Sequence, residues 1–308
     1  MKIITLTLNT AFDIHCDADQ FLPYSENFVN ITSKDAGGKG INISRALCAF
    51  GRNNIAVAVL GNENALEFER LLVKDKLSLF PIIRSGRIRE NVTIHHNDGQ
   101  ETRISFGGIT VDKAILDDIH NAVGNIEKDD IIIFAGSIPN GITASDVLKL
   151  LGKLKSFGAR IVVDSRSLSI DDLASIKPLL IKPNKQEAEK YIQKKIKNID
   201  DAFNAAIELR RCGIENVMLS LGADGAVLAT PNGNFYAEPP RINAKSTIGA
   251  GDSSIAGFID AVVDGKSSEE CLVRAVAFGT AACMTDGTAP PIPDDVKNIE
   301  GQVVVRKK

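Results

Sequence analysis

Six short runs of the chain are apolar without alternation: KIITLTL at 2–8, IAVAVLG at 55–61, DIIIFAG at 130–136, ARIVVDS at 159–165, LLIKPN at 179–184 and NVMLSLG at 216–222. A strand that shows no inside–outside period is buried on both faces, which is the habit of a parallel sheet. Between these runs lie longer segments with helical spacing, among them GINISRALCAFG, TASDVLKLLGKLKSFG and IDDAFNAAIELRRCG. Each ends in glycine, as a helix C-terminus often does. The alternation predicts an α/β fold, a doubly wound and mostly parallel sheet with helices on both faces.

Two regions break that rhythm. Residues 82–106 contain ENVTIHHNDGQETRISF, two alternating runs joined by Asn97-Asp98-Gly99, a sequence suited to a tight hairpin because Asp-Gly accepts positive φ. Residues 11–34 read as short strands and turns rather than helix. The expectation is a single domain over 1–308 in which strands at about 11–34 and 82–106 pair as a small antiparallel sheet forming a lid.

Composition narrows the partner. A chain of 308 residues, 44% of them hydrophobic, can bury one large core. The net charge of −3 comes from interspersed acids and bases, which argues against a nucleic-acid or anionic-membrane face and points to a small-molecule partner. No apolar run approaches the roughly 18 to 20 residues needed to cross a bilayer, and the first run lacks a secretory leader's pattern, so a cytoplasmic protein is expected. Cys16, Cys48, Cys212, Cys271 and Cys283 show no C-x-x-C spacing and read as reduced structural thiols. His95 and His96 sit in an alternating run and face opposite ways, which does not suit a metal site.

In open parallel sheets, ligands bind beyond the carboxyl ends of the strands. Six polar or glycine-rich positions follow predicted strands: Asn9 with Asp13, GGKGIN at 37–42, GSIPNG at 136–141, KPNKQE at 182–187, SLGADG at 220–225 and GAGD at 249–252. In the last, small residues leave the backbone open, and Asp252 precedes apolar positions at helical spacing. Free amides at a helix N-terminus suit a phosphoryl group. Asp252 is then either a helix cap, a role worth about 1 kcal/mol, or a general base taking a proton from a hydroxyl that attacks the phosphoryl group. Asn184 and Glu187 offer oxygens for a hydrated Mg²⁺, or simply start a helix after Pro183. There is no P-loop motif, and no G-x-G-x-x-G follows the first strand, so a Rossmann-type oxidoreductase is unsupported.

Taken together, TLN with Asp13, GGKGIN, GSIP, IKPN with Glu187, SLGADG and STIGAGDS resemble, in order and spacing, the ribokinase-like PfkB carbohydrate kinase family along essentially the whole chain. The branch most alike contains 1-phosphofructokinase and tagatose-6-phosphate kinase, through TLN, GGKGINISR and GRIRENVTI with ETRIS. The resemblance implies a ribokinase-like fold and an ATP- and Mg²⁺-dependent kinase. Asp252 resembles its catalytic base, with Gly249, Ala250 and Gly251 as the anion hole. Asp13, Gly38, Lys39, Asn42 and Ser137 match sugar-phosphate positions. Arg89 and Arg103 match the place of a clamp on the substrate's existing phosphate, the alternative for each being a plain surface arginine. Lys182, Asn184 and Glu187 match nucleotide and metal positions, Glu187 reaching Mg²⁺ through water. Ser220, Gly222 and Gly225 would flank ATP, and AVAFGTA at 275–281, through Ala277 and Gly279, its base or ribose.

The reaction so implied is phosphorylation of fructose 1-phosphate to the 1,6-bisphosphate, with tagatose 6-phosphate as the alternative substrate. A 6-phosphofructokinase, a kinase of unphosphorylated sugars or nucleosides, and a silent sugar-phosphate-binding protein stand further off. Thr10 departs from the branch, where proline commonly follows TLN. Apart from the resemblance, exposed apolar residues on a lid sheet would suit a homodimer through the lid.

Overall fold

The computed structural model describes residues 1–97 and 99–308; Asp98, the centre of the expected hairpin turn, lies outside the described residues. The strands are β1 (Ile3–Thr7), β2 (Ala11–Ala18), β3 (Asn30–Gly37), β4 (Ile55–Gly61), β5 (Ser78–Arg84), β6 (Arg89–His96), β7 (Glu101–Ser105), β8 (Ile131–Ala135), β9 (Arg160–Asp164), β10 (Leu180–Ile181), β11 (Asn216–Ser220), β12 (Ala226–Thr230), β13 (Gly233–Glu238) and β14 (Val304–Lys307). The helices are α1 (Lys39–Ala49), α2 (Ala65–Leu72), α3 (Ile115–Val123), α4 (Ala144–Ser156), α5 (Ile170–Ile176), α6 (Lys185–Ile192), α7 (Ile199–Arg211), α8 (Ala250–Val263), α9 (Ser268–Ala282) and α10 (Pro293–Glu300).

The main sheet runs β14-β13-β12-β11-β10-β9-β8-β1-β4-β5. From β5 to β11 every pairing is parallel, and from β11 to β14 every pairing is antiparallel. Successive residues of one strand feed opposite layers. Ile132 and Phe134 pack toward the side of α3, α4 and α7, while Ile131, Ile133 and Ala135 pack toward α1, α8 and α9. Both faces are therefore apolar, which is why the runs show no alternation, and each fully buried Ile or Phe contributes about 1.5–3 kcal/mol.

A second sheet, β3-β2-β6-β7, lies against β4, α1 and α2 through Phe12, Ile14, Ile94, Ile41, Leu60 and Phe68. Two expectations need correction here. Residues 82–84 finish β5 of the main sheet, so the inserted strands begin at Arg89. The second sheet is also mixed rather than antiparallel: β2 pairs with β3 and β6 with β7 antiparallel, but β2 pairs with β6 in parallel. Locally connected strands must run antiparallel, whereas β2 and β6 are joined through the main sheet and are free of that constraint. Their side chains alternate, leaving Asp13, His15, Asn91 and Thr93 on the face opposite Phe12 and Ile14.

Candidate active site

The two helices that open at the glycine-rich loops meet at their first turns. Gly249 caps α8 at φ 79°, in the left-handed region, so the chain enters the helix at an angle that favours glycine. Asp252 is the third residue of the helix and makes no capping bond, so it is not the N-cap. Its Oδ2 accepts a hydrogen bond of 2.9 Å from Nδ2 of Asn42 on α1. α1 begins after Gly38, at φ 118°, and packs so closely on β1 that a Cβ on Gly40 would stand 2.3 Å from Thr7 Oγ1.

Burial pushes the Asp252 carboxyl up to about 6, against the pull of Lys39, the Asn42 hydrogen bond and Lys182, and with a further push from Asp164. Asp164, at the carboxyl end of β9, is buried and accepts from Lys39 Nζ at 2.9 Å. Desolvation works to raise its pKa, but Lys182 and Lys39 outweigh it and hold the carboxyl below the usual range. For Lys39, burial works to lower the pKa, but Asp164, Asp252 and Glu187 raise it on balance. Lys182 Nζ rests against α8, 2.8 Å from where a Cβ on Gly251 would lie. The result is a group of two ammonium and two carboxylate side chains at the open end of α8, with Lys182, Asp164 and Asp252 buried and Lys39 half-buried. Asp164 is absent from the sequence motifs, although its place after an apolar run at the end of a parallel strand is where functional groups collect.

The second sheet brings its own polar group to this end of the main sheet. Asp13 Oδ1 accepts from Asn91 Nδ2 at 2.9 Å and has Arg103 Nη2 at 3.8 Å. Desolvation raises the Asp13 pKa despite Asn91, Arg103, His15 and Arg89. Arg89 reaches the Asn9 carbonyl at 3.5 Å, and its buried Nε has no hydrogen-bond partner among the described residues. Arg103 is half exposed. Asn9 donates to Ser137 Oγ at 2.9 Å, joining the loops after β1 and β8. Asn91 is a further polar residue of this group; it lies within the GRIRENVTI run, of which only Arg89 is singled out by the sequence.

On the other side of Gly251 lies a cavity of about 380 Å³. Lys182, Ser220, Gly222, Gly225, Ala250, Gly251 and Gly279 are among the residues that line it. Gly225, at φ 87° and with its Cβ position 2.0 Å from the Ala237 carbonyl, has to be glycine for the turn after β11 to close. Ala277 departs from expectation: it is fully buried in the apolar layer beneath the main sheet and lines no part of the cavity. The helical period of α9 turns Ala275, Val276 and Gly279 toward the cavity and Ala277 away. The segment Pro239–Arg241 and Ser254 also line it without any motif to mark them, and Thr247 of the STIGAGDS run joins them.

Asn184 and Glu187 form a reciprocal capping box at the start of α6. Glu187 Oε2 accepts from the Asn184 amide at 2.9 Å, and Oε1 accepts from Arg166 Nε. Asn184 also bridges Ser220 across the sheet end. No group of three or more His, Cys, Asp or Glu gathers as a metal cage among the described residues. The Glu187 carboxylate keeps about two of its four or so acceptor positions, which fits contact with a hydrated Mg²⁺ through water but not an all-protein site. No helix among the described residues is long and apolar enough to cross a membrane.

The model of the pfkB family of carbohydrate kinases matches residues 9–295. The 1-phosphofructokinase of Escherichia coli K12 is 30% identical over 282 residues, covering 91% of this chain and 90% of that protein. The tagatose-6-phosphate kinase of Staphylococcus epidermidis is 32% identical over 314 residues, covering 98% and 99%. The structure of phosphofructokinase-2 from Escherichia coli, in complex with substrates and products, superposes with a TM-score of 0.92 at 26% identity, covering 98% of this chain and 99% of that one.

Proposed function

Because the chain belongs to the pfkB family of carbohydrate kinases, we propose that it transfers the γ-phosphoryl group of ATP to a ketohexose phosphate, foremost fructose 1-phosphate, with Asp252 as the general base. The observation that carries this reading is the buried Asp252 carboxylate, held by Asn42 in the first turn of α8 and raised to about 6. At neutral pH such a group is mostly ionised yet basic enough to take a hydroxyl proton.

As the sugar hydroxyl attacks, its proton passes to Asp252, the new O–P bond forms and the bridge between the β- and γ-phosphates breaks, releasing ADP. The amides at the start of α8, from Gly249 to Gly251, face the transferring group with the positive end of the helix dipole. Lys39 and Lys182 add charge stabilisation, and phosphoryl transfer asks the protein chiefly for such positioning. Mg²⁺, held through water by Glu187 with Asn184 beside it, would supply neutralisation of the nucleotide phosphates. ATP occupies the cavity lined by Ser220, Gly222, Gly225 and Gly279.

The sugar phosphate lies between Asp13, Gly38, Lys39, Asn42 and Ser137, with its phosphate on Arg89 and Arg103. Guanidinium groups suit that role by their fork of donors. The second sheet then acts as a lid of the single domain and excludes water. Ile31, Ile104 and Phe106, exposed on or beside that sheet, support a homodimer through the lid. The working compartment is the cytoplasm.

Tagatose 6-phosphate is the second reading, favoured by the near full-length likeness to the staphylococcal enzyme. ADP release from Mg-ATP, measured in parallel with fructose 1-phosphate, tagatose 6-phosphate, fructose 6-phosphate and free fructose, decides between them. Preference for fructose 1-phosphate is the expected result. Preference for tagatose 6-phosphate selects the second reading, and turnover of free sugar alone overturns both.

A further inference from the structure

The half of α1 that points away from Lys39 and Asn42 borders a cavity of about 470 Å³ that the proposed reaction does not use. Arg45, Arg52, Lys74 and Lys76 line it, with Asp75 as its one acidic residue, an excess of three positive charges. Arg52 is committed elsewhere, paired with Asp260 and Asp264. The other three are not fully satisfied. Arg45 is 2% exposed, and its Nη1 donates to the Thr288 carbonyl at 3.1 Å. Its Nε is ion-paired with Asp75 Oδ2 at 2.8 Å, yet neither atom makes a hydrogen bond. Lys74 approaches Asp35 only to 3.9 Å, and Lys76 has no ion-pair partner among the described residues.

A buried guanidinium nitrogen without a hydrogen bond carries a standing penalty that an acceptor of the right geometry removes. Phosphate oxygens are that acceptor, since they engage Arg as a fork and Lys as a point charge. The carbonyls at the end of α1 offer little repulsion, because the amides of Phe50, Gly51 and Arg52 fold back onto those of Leu47 and Cys48. The concave shape and its volume suit a small ligand, and the chain's net charge of −3 gives no broad basic face for a polymer. We propose that this cavity is a second anion site, separate from the catalytic one, that binds a small phosphorylated molecule between Arg45, Lys74 and Lys76.

The inference does not rest on the proposed reaction, and its test is a binding measurement. Pyrophosphate is titrated calorimetrically into the wild-type protein, into a Lys74→Ala/Lys76→Ala variant and into Arg103→Ala. The lysines are replaced rather than Arg45, whose burial makes its removal a folding risk; matching melting temperatures check that the variants are intact. The expected result is a binding component in the wild type that weakens at least about tenfold in the lysine variant, as loss of charge-assisted contacts implies, and persists in Arg103→Ala. A component that is unchanged in the lysine variant, or no pyrophosphate binding by the wild type, overturns the site.

Discussion

Asn42 and Asp252 lie 210 residues apart in sequence and are joined by a 2.9 Å hydrogen bond that ties the start of α1 to the start of α8. The bond favours the ionised carboxylate and works against the burial that raises its pKa. Replacing Asn42 with Ala therefore leaves burial less opposed, and the Asp252 pKa rises further. The acid limb of the pH profile of kcat/KM is expected to move to higher pH, by about one pH unit or less. An unmoved limb between pH 5 and 8 would mean that another group sets it.

Asp164 acts on the same carboxylate with the opposite sign. It raises the Asp252 pKa by like charge, and it is the chief electrostatic support of the Lys39 ammonium. Asp164→Asn should move the acid limb to lower pH, while Lys39, half-buried and without its partner, loses its proton more readily and brings the basic limb down as well. A profile shifted downward on both limbs is the expected signature. A loss of rate with both limbs in place would assign Asp164 a purely structural part.

Removing the base itself separates chemistry from stability. Asp252→Asn is expected to lower kcat by about 10²–10⁴-fold with the KM for the sugar phosphate little changed. Its effect on stability has a definite sign. The folded carboxyl stands at about 6 against 3.8 for an ordinary aspartate, so ionising it in place costs the folded state. That cost is absent below about 3.8, grows between 3.8 and 6, and is complete above 6, amounting to about 3 kcal/mol at most. The asparagine variant should therefore gain melting temperature over wild type at pH 8 by more than at pH 5, as differential scanning fluorimetry would record.

Arg89 and Arg103 divide the handling of the substrate's phosphate. Arg89 is largely buried with an unpartnered Nε, and desolvation lowers its pKa despite the help of Asp13. An anion at this point relieves both conditions. Arg89→Ala should raise the KM for the phosphorylated sugar about tenfold or more, leaving the KM for ATP unchanged. Arg103→Ala, at a half-exposed side chain, should have the smaller effect because solvent screens it. Equal kinetics for Arg89→Ala and the wild type would return Arg89 to a structural role.

How far the fold and site are legible in the chain follows from what each residue's meaning depends on. Ile131 to Ala135 announce a buried strand because every position is apolar, and both sides are indeed covered. β14 gives no such signal, since it runs along an edge with two of its four residues charged. Gly249 and Gly251 with Asp252 form a local pattern, a glycine turn into a helix, that carries its chemistry in four residues. Asp164 and Asn91 lie inside strands, and their roles exist only through Lys39, 125 residues away, and Asp13, 78 away. Ala277 shows the reverse error: a run recognised as a block is split by the helical period, which turns one member to the cavity and its neighbour to the core.

Gly251 is where packing and catalysis part company. It is the second residue of α8 and its backbone is ordinary helix, so alanine is conformationally welcome there and the propensity gain is up to about 1 kcal/mol. Its Cβ, however, would stand 2.8 Å from Lys182 Nζ, closer than such atoms approach. Lys182 is only 7% exposed, so its ammonium must be pushed toward the phosphate side or away from Asp164 rather than into open solvent. Gly251→Ala is therefore expected to fold with a melting temperature equal to or above that of the wild type, and to lose about tenfold in kcat/KM for ATP as the displaced charge no longer matches the transferring group. Stability and ATP kinetics measured on the same preparation test this. If ATP kinetics survive, the close approach of Lys182 to α8 is a packing detail, and the charge that stabilises the transferring phosphoryl group must come from Lys39 and the helix amides alone.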